Sequence, residues 1–155
     1  MKKVLFVINT LGCAGAETAL IELLKSLDEK EYELSLYVLM GQGEMIDKIP
    51  ENVKLLNDHY CKDSVLSKQG KQAMMKTVWR SFWENGNVFG KFAYIVRTFS
   101  AMRRTGKFQP DKILWRVISD GSPRFEETYD LAVAYLEGGS TYYVADHVKA
   151  KKKAA

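Results

Sequence analysis

KVLFVINTLGCAGAETALIELL (residues 3–24) runs from an apolar strand through a small-residue turn into an amphipathic helix, and its reading decides the fold. Val4, Leu5, Phe6, Val7 and Ile8 form an unbroken apolar run, the pattern of a parallel strand buried on both faces. In an open α/β sheet a ligand binds beyond the carboxyl end of such a strand, where loop amides and a helix N-terminus point at it. Residues 9–17 occupy that position. Gly12 and Gly15, separated by Cys13 and Ala14, let the backbone approach a ligand closely, and either glycine can take positive φ without steric cost. The spacing is G-x-x-G; it lacks the G-x-G-x-x-G of dinucleotide binders and the G-K-[ST] ending of a P-loop. A plain strand-to-helix turn is the alternative reading of the same residues.

Working outward, residues 15–28 read as the first helix and YELSLYVLM (32–40) as a second buried strand. Met45, Ile46 and Ile49 mark a short helical turn, and Val53, Leu55 and Leu56 a brief third strand. Right-handed crossover makes a parallel sheet the default for this order. Gln109-Pro110-Asp111 starts a further helix that Asp120-Gly121-Ser122-Pro123 ends. Tyr129 to Leu136 is the clearest later strand and runs into Glu137-Gly138-Gly139-Ser140-Thr141, a loop that would share an edge with residues 9–17 in a parallel sheet. The tail reads as a helix to about His147. Lys151, Lys152 and Lys153 then read as a solvated run, and the chain looks cut where another strand would begin.

The expected fold is thus a single α/β, Rossmann-like domain over residues 1–155: a parallel sheet with flanking helices and a basic helical insertion at about 62–107. With 155 residues, 46% of them apolar, the chain can bury a sizeable core. No apolar run approaches the ~20 residues of a membrane-spanning helix. Cys13 and Cys61 stand in unrelated contexts, which suits a reducing, cytoplasmic compartment. No base accompanies Cys13, so it reads as a small turn residue rather than a nucleophile. No metal-ligand spacing is present, and no catalytic residue can be named.

The net charge of +4 is unevenly placed. Residues 62–112 hold eleven Lys or Arg against Asp63, Glu84 and Asp111, a balance of +8 that leaves −4 for the remainder. An acidic core with one basic segment argues against nucleic acid as a partner. Met74, Met75, Val78, Trp79, Phe82 and Trp83 make one apolar stripe; Val88, Phe92, Ile95, Phe99 and Met102 make another at helical spacing. Trp79, Trp83, Phe92 and Phe99 beside Arg97 and Arg103 suit an interfacial helix pair on an anionic membrane, while packing on the sheet explains the same stripes. Phe108 belongs to the same aromatic segment.

On Val4 to Ile8 with Gly15-Ala16-Glu17, on residues 32–39, and on Tyr129 through Gly138, the chain resembles the N-terminal domain of glycosyltransferase family 4. These are retaining sugar-nucleotide transferases built from two Rossmann-like domains, the GT-B architecture. The likeness covers nearly the whole chain, and residues 62–107 least. The family's first loop usually reads Gly-Gly-Ala-Glu where this chain has Ala14-Gly15-Ala16-Glu17, so residue 14 must avoid strongly positive φ if the loop is to keep its shape.

The resemblance implies a UDP- or GDP-sugar donor as substrate, with no cofactor in this chain. It implies a C-terminal Rossmann domain, missing here, that holds most of the donor, and a glycan or lipid-linked acceptor held by the N-terminal domain. The family's paired donor-binding glutamates lie in that second domain and match no position here, so this chain alone is expected to be inactive. Gly12, Cys13, Ala14 and Gly15 would face the donor phosphates or sugar with their backbone amides. Glu17 suits the first-turn helix dipole better than a phosphate contact. Glu137, with Gly138 and Gly139, would bind acceptor hydroxyls, although an exposed loop carboxylate reads the same way. His147 reads as a helix-surface or packing residue. Two other classes fit the chain: a free-standing nucleotide- or phosphate-binding module, and a membrane-surface domain without chemistry. A cytoplasmic place, peripheral on the inner face of the cell membrane, agrees with the transferase reading.

Overall fold

A computed structural model describes residues 1–84, 87–105 and 110–155. Asn85 and Gly86 of the expected helix linker, Phe108, and Gln109 of the expected helix start lie outside the described residues. The elements run β1 (Lys2–Ile8), α1 (Gly15–Ser26), β2 (Tyr32–Val38), a 3-10 turn (Glu44–Lys48), β3 (Val53–Leu55), α2 (Lys68–Trp83), α3 (Val88–Thr105), α4 (Pro110–Gly121), β4 (Thr128–Tyr135), α5 (Gly139–His147) and β5 (Lys149–Ala154).

Among the described residues these strands form one sheet in the order β3-β2-β1-β4-β5, with every pairing parallel. This is the expected α/β, Rossmann-like class. Ile8 pairs with Val38 on one side and Tyr135 on the other, so the carboxyl ends of β1, β2 and β4 are level.

Alternation along β1 divides the core in two. Val4, Phe6 and Ile8 pack with Leu20, Ile21 and Leu24 of α1, whose spacing puts them on one helical face. Leu5 and Val7 pack on the other face with Ile118 of α4 and Tyr143 and Val144 of α5. Met74 and Val78 of α2 join that second face, so α2 packs on the sheet, as the packing reading of its stripe expected. Each fully buried Leu or Ile contributes about 1.5–3 kcal/mol of apolar transfer.

The lysines of the tail are exposed as expected, and the tail itself is a strand. Lys149–Ala154 is a strand that pairs with β4 along Thr128 to Val133. It has no apolar face, and its backbone satisfies the donors and acceptors of β4. Lysines on an edge strand oppose pairing with another chain, and the Lys151 ammonium also lies 2.7 Å from Asp130.

Candidate functional site

β1 leads through α1 to β2 on one side, and β4 leads through α5 to β5 on the other. The strand order therefore reverses between β1 and β4, and their loops diverge at the carboxyl edge. Such a switch point is where open α/β sheets bind ligands. Asn9, the first residue beyond β1, clamps the two loops together. Its Nδ2 donates to the Glu137 carbonyl at 2.9 Å, and its Oδ1 accepts from the Ser140 N–H at 2.9 Å. Gly138 is the N-cap residue of α5 and has no side chain, so Asn9 supplies the capping oxygen from across the sheet.

The first loop is held from behind. Leu11 is fully buried; its N–H donates to the Gln42 carbonyl at 2.9 Å, and its carbonyl accepts from the Met45 N–H at 3.1 Å. Gly43 has φ of 144°, and a Cβ there would lie 2.0 Å from the Leu11 oxygen. The front is open: Cys13, Ala14 and Gly15 are exposed and Gly12 is half-buried. Ala14 caps α1 with φ −92° and ψ 170° and no side-chain hydrogen bond, so alanine fits there without strain. The Ala14 side chain thus gives the amides opening α1 no cap, and the carboxylates at this loop are Glu17 in the first turn and Glu44, whose Oε2 would lie 3.7 Å from a Cβ on Gly12.

The expected use of positive φ at Gly12 or Gly15 is not what forms. Among the described residues the left-handed glycines are Gly41, Gly43 and Gly138. The turn bends behind the loop, at residues 41–43, and leaves residues 12–15 in ordinary backbone. A Cβ on Gly15 would meet no atom within 4 Å. Glu17 is 8% exposed and lies in the first turn of α1, where the helix dipole favours a carboxylate by about 0.3–1 kcal/mol.

On the facing loop, Leu136 adopts φ of 76°, a left-handed conformation uncommon outside glycine, and its side chain is exposed. Glu137 is exposed beside it. Gly138, at φ 118°, and Gly139 are glycines because of their neighbours. A Cβ on Gly138 would lie 3.0 Å from Asn9 Nδ2, and one on Gly139 would lie 2.4 Å from Leu39 Cδ2 and 2.9 Å from Trp115 Cε3. Asn9 and Trp115 are the site residues that sequence reasoning passed over. The position of Asn9, directly between an apolar strand and a small-residue turn, was the available signal.

His147 lies at the opposite end of α5, about 12 Å along the helix at 1.5 Å per residue. Its Nε2 is 2.9 Å from Asp120 Oδ1, and Arg116 ties Asp120 to Asp146, a network away from the crevice. Among the described residues no three His, Cys, Asp or Glu side chains gather as a metal site. No described helix is long and apolar enough to cross a membrane.

The aromatic stripes divide differently from the expected faces. On α3 the inward positions are Val88, Lys91, Ile95, Thr98 and Met102; Phe92 and Phe99 face outward with Phe89 and Val96. Lys91 holds the inward position in place of Phe92 because its ammonium donates to the carbonyls of Ser81 at 2.6 Å and Phe82 at 3.3 Å, in the last turn of α2. Burial lowers its pKa. Trp79 is 68% exposed, Trp83 54%, Phe92 61% and Phe99 46%. Arg97 and Arg103 on α3 are exposed, and the Arg103 guanidinium lies 5.3 Å from the Phe99 ring centre. Comparison of the chain with protein-family models, with curated proteins and with solved structures finds no match.

Proposed function

We propose that this chain is the acceptor-binding half of a retaining glycosyltransferase that moves a sugar from a UDP- or GDP-sugar to a glycan or lipid-linked acceptor. The observation that supports the proposal is the β1/β4 switch point, where Asn9 at the end of β1 ties the loop leading into α1 to the Glu137 carbonyl and the Ser140 N–H. The amides of residues 12–16 would donate to the leaving diphosphate, where charge develops as the glycosidic bond breaks. The Glu137 carboxylate would accept a hydrogen bond from an acceptor hydroxyl and orient it. A second Rossmann-like domain would close over the donor and hold its nucleotide, so this chain alone binds the donor weakly and does not turn it over.

An amide-resolved NMR titration with UDP-glucose and GDP-mannose tests the reading. Weak, saturable shifts confined to residues 9–17 and 136–140 are expected. Tight binding of the bare nucleotide would favour a free-standing nucleotide-binding module, and silence of both loops would overturn the transferase.

The outward face of α2 and α3 supports a peripheral place on an anionic membrane surface, the inner face of the cell membrane, where a lipid-linked acceptor is presented. Trp79, Trp83, Phe92 and Phe99 are exposed, with Lys76 and Arg80 near the two tryptophans and Arg103 over the Phe99 ring, a composition that suits an interfacial surface. An entirely apolar cavity of about 370 Å3 between α2, α3 and α4, lined in part by Phe82, Ile95 and Val117, lies behind this face.

A further inference from the structure

Beside the crevice, beyond the carboxyl ends of β2 and β3, lies a second concavity of about 220 Å3 between the sheet edge, α2 and the end of α4. The two sites are adjacent: the Met40 N–H, at the rim of this cavity, donates to the Asn9 carbonyl at 2.9 Å. Its walls are fixed by backbone. The Asn57 carboxamide accepts from the Val38 N–H at 2.9 Å and donates to the Val38 carbonyl at 2.7 Å, holding residues 56–59 as a continuation of β3. A Cβ on Gly41 would lie 2.9 Å from the His59 oxygen, and one on Gly121 would lie 1.8 Å from the Ser81 oxygen, so the chain segments touch at both rims.

The lining chemistry is selective. Tyr37 and Ser122 border the cavity on one side, with Asp58, His59, Arg80 and Glu84 around the opening. Arg80 Nε is 3.4 Å from the Glu84 carboxylate. Two carboxylates against one guanidinium repel a phosphate or a polyanion. A lipid tail would desolvate those charges without pairing them. What matches is a neutral ligand whose groups both donate and accept: hydroxyls can donate to Asp58 and Glu84 and accept from Arg80. At about 30 Å3 per water the volume equals roughly seven waters, below the ~300 Å3 where drug-sized pockets begin. That is room for a single ring.

We propose that this cavity is a subsite for one neutral sugar ring of the acceptor, next to the crevice where transfer would occur. It rests on the transferase reading and adds the chemical class of the group bound beside the reaction. The site requires no rearrangement of the described chain, because Asn57 and the glycine contacts already hold its walls.

The test is amide-resolved NMR of this chain with methyl α-D-glucopyranoside, methyl α-D-mannopyranoside and methyl N-acetylglucosaminide, with inorganic phosphate in parallel. Saturable millimolar shifts at Gly41, Asp58, His59 and Ser122 with at least one pyranoside, and none with phosphate, are expected. Asp58→Ala and Glu84→Ala, both at exposed positions, should keep the spectrum of the folded chain and weaken that binding about tenfold, the effect of losing one hydrogen-bond acceptor. Phosphate reproducing the shifts, unchanged affinity in both variants, or no pyranoside response would overturn the subsite. A UDP-glucose response at residues 12–17 with a silent cavity overturns the subsite alone. A pyranoside response in the cavity, with residues 9–17 and 136–140 silent toward UDP-glucose and GDP-mannose, supports the sugar site and overturns the transferase.

Discussion

The Oδ1 of Asn9 accepts a hydrogen bond from the Ser140 N–H, 131 positions later in the chain, and thereby caps α5 from the end of β1. One side chain thus fixes the separation of the two loops that would face a substrate. Asn9→Ala removes this cap and the bond to the Glu137 carbonyl, and should cost about 1–2 kcal/mol in chemical denaturation. Asn9→Asp keeps the acceptor for Ser140 but sets a carboxylate against the Glu137 oxygen. It should recover part of the cap while still broadening the NMR signals of residues 136–138. If Asn9→Ala is as stable as the parent, the clamp contributes nothing.

Two glycines near the first loop should behave oppositely. Gly43→Ala combines a φ of 144° with a Cβ 2.0 Å from the Leu11 oxygen, so it must displace backbone. A loss of more than about 2 kcal/mol is expected, the range for strained backbone with a steric conflict. Gly15→Ala meets nothing within 4 Å at the first position of α1 and should be neutral or stabilising by about 0.4–1 kcal/mol through the unfolded chain. Equal losses at both positions would contradict this backbone assignment.

Alkaline pH probes the second face of the core. Burial raises the Tyr37 and Tyr143 phenols, and burial followed by the Glu127 charge pushes Tyr129 up to about 12. An unfolded tyrosine ionises near pH 10, so above that pH the unfolded chain sheds protons that the folded chain retains, and stability falls as pH rises. The stabilisation is fully present below about pH 10 and is lost toward and beyond pH 12. Denaturant midpoints measured through this window should drop together with the appearance of phenolate absorbance. Tyr129→Phe should shallow the slope, and an unchanged slope would remove Tyr129 from the account.

The strands that carry the site were legible because β1 is buried on both faces and β4 is buried on one and half-buried on the other. Val4 to Ile8 and Leu131 to Ala134 are continuous apolar runs, and their ends placed both loops on one edge. A strand beginning at the tail was legible but not its extent or its partner, since residues 149–154 have no apolar alternation and are ordered by the open edge of β4. The inward face of α3 was equally hidden. Phe92 and Phe99 have the same helical spacing as Lys91 and Thr98, and only the carbonyls ending α2 make a lysine the inward residue. Gly138 and Gly139 were visible as a loop at the sheet edge, yet the reason for glycine there lies in Asn9, Leu39 and Trp115, on other elements.

The outward aromatics give the remaining prediction. Trp79 and Trp83, with ring centres 5.9 Å apart, and Phe92 and Phe99 contribute little to the fold while exposed, so Trp79→Ser with Trp83→Ser should change stability by less than about 1 kcal/mol. Each ring buried in a headgroup region is worth about 1.5–3 kcal/mol, so losing the pair should weaken binding to phosphatidylglycerol vesicles in flotation by at least about a hundredfold. Arg97→Glu with Arg103→Glu should instead abolish the preference for phosphatidylglycerol over phosphatidylcholine, at about 1 kcal/mol per charge. Undiminished flotation of the serine variant would show that these rings do not enter lipid. A fall in oligomer size without any change in flotation would assign the face to a second copy of the chain.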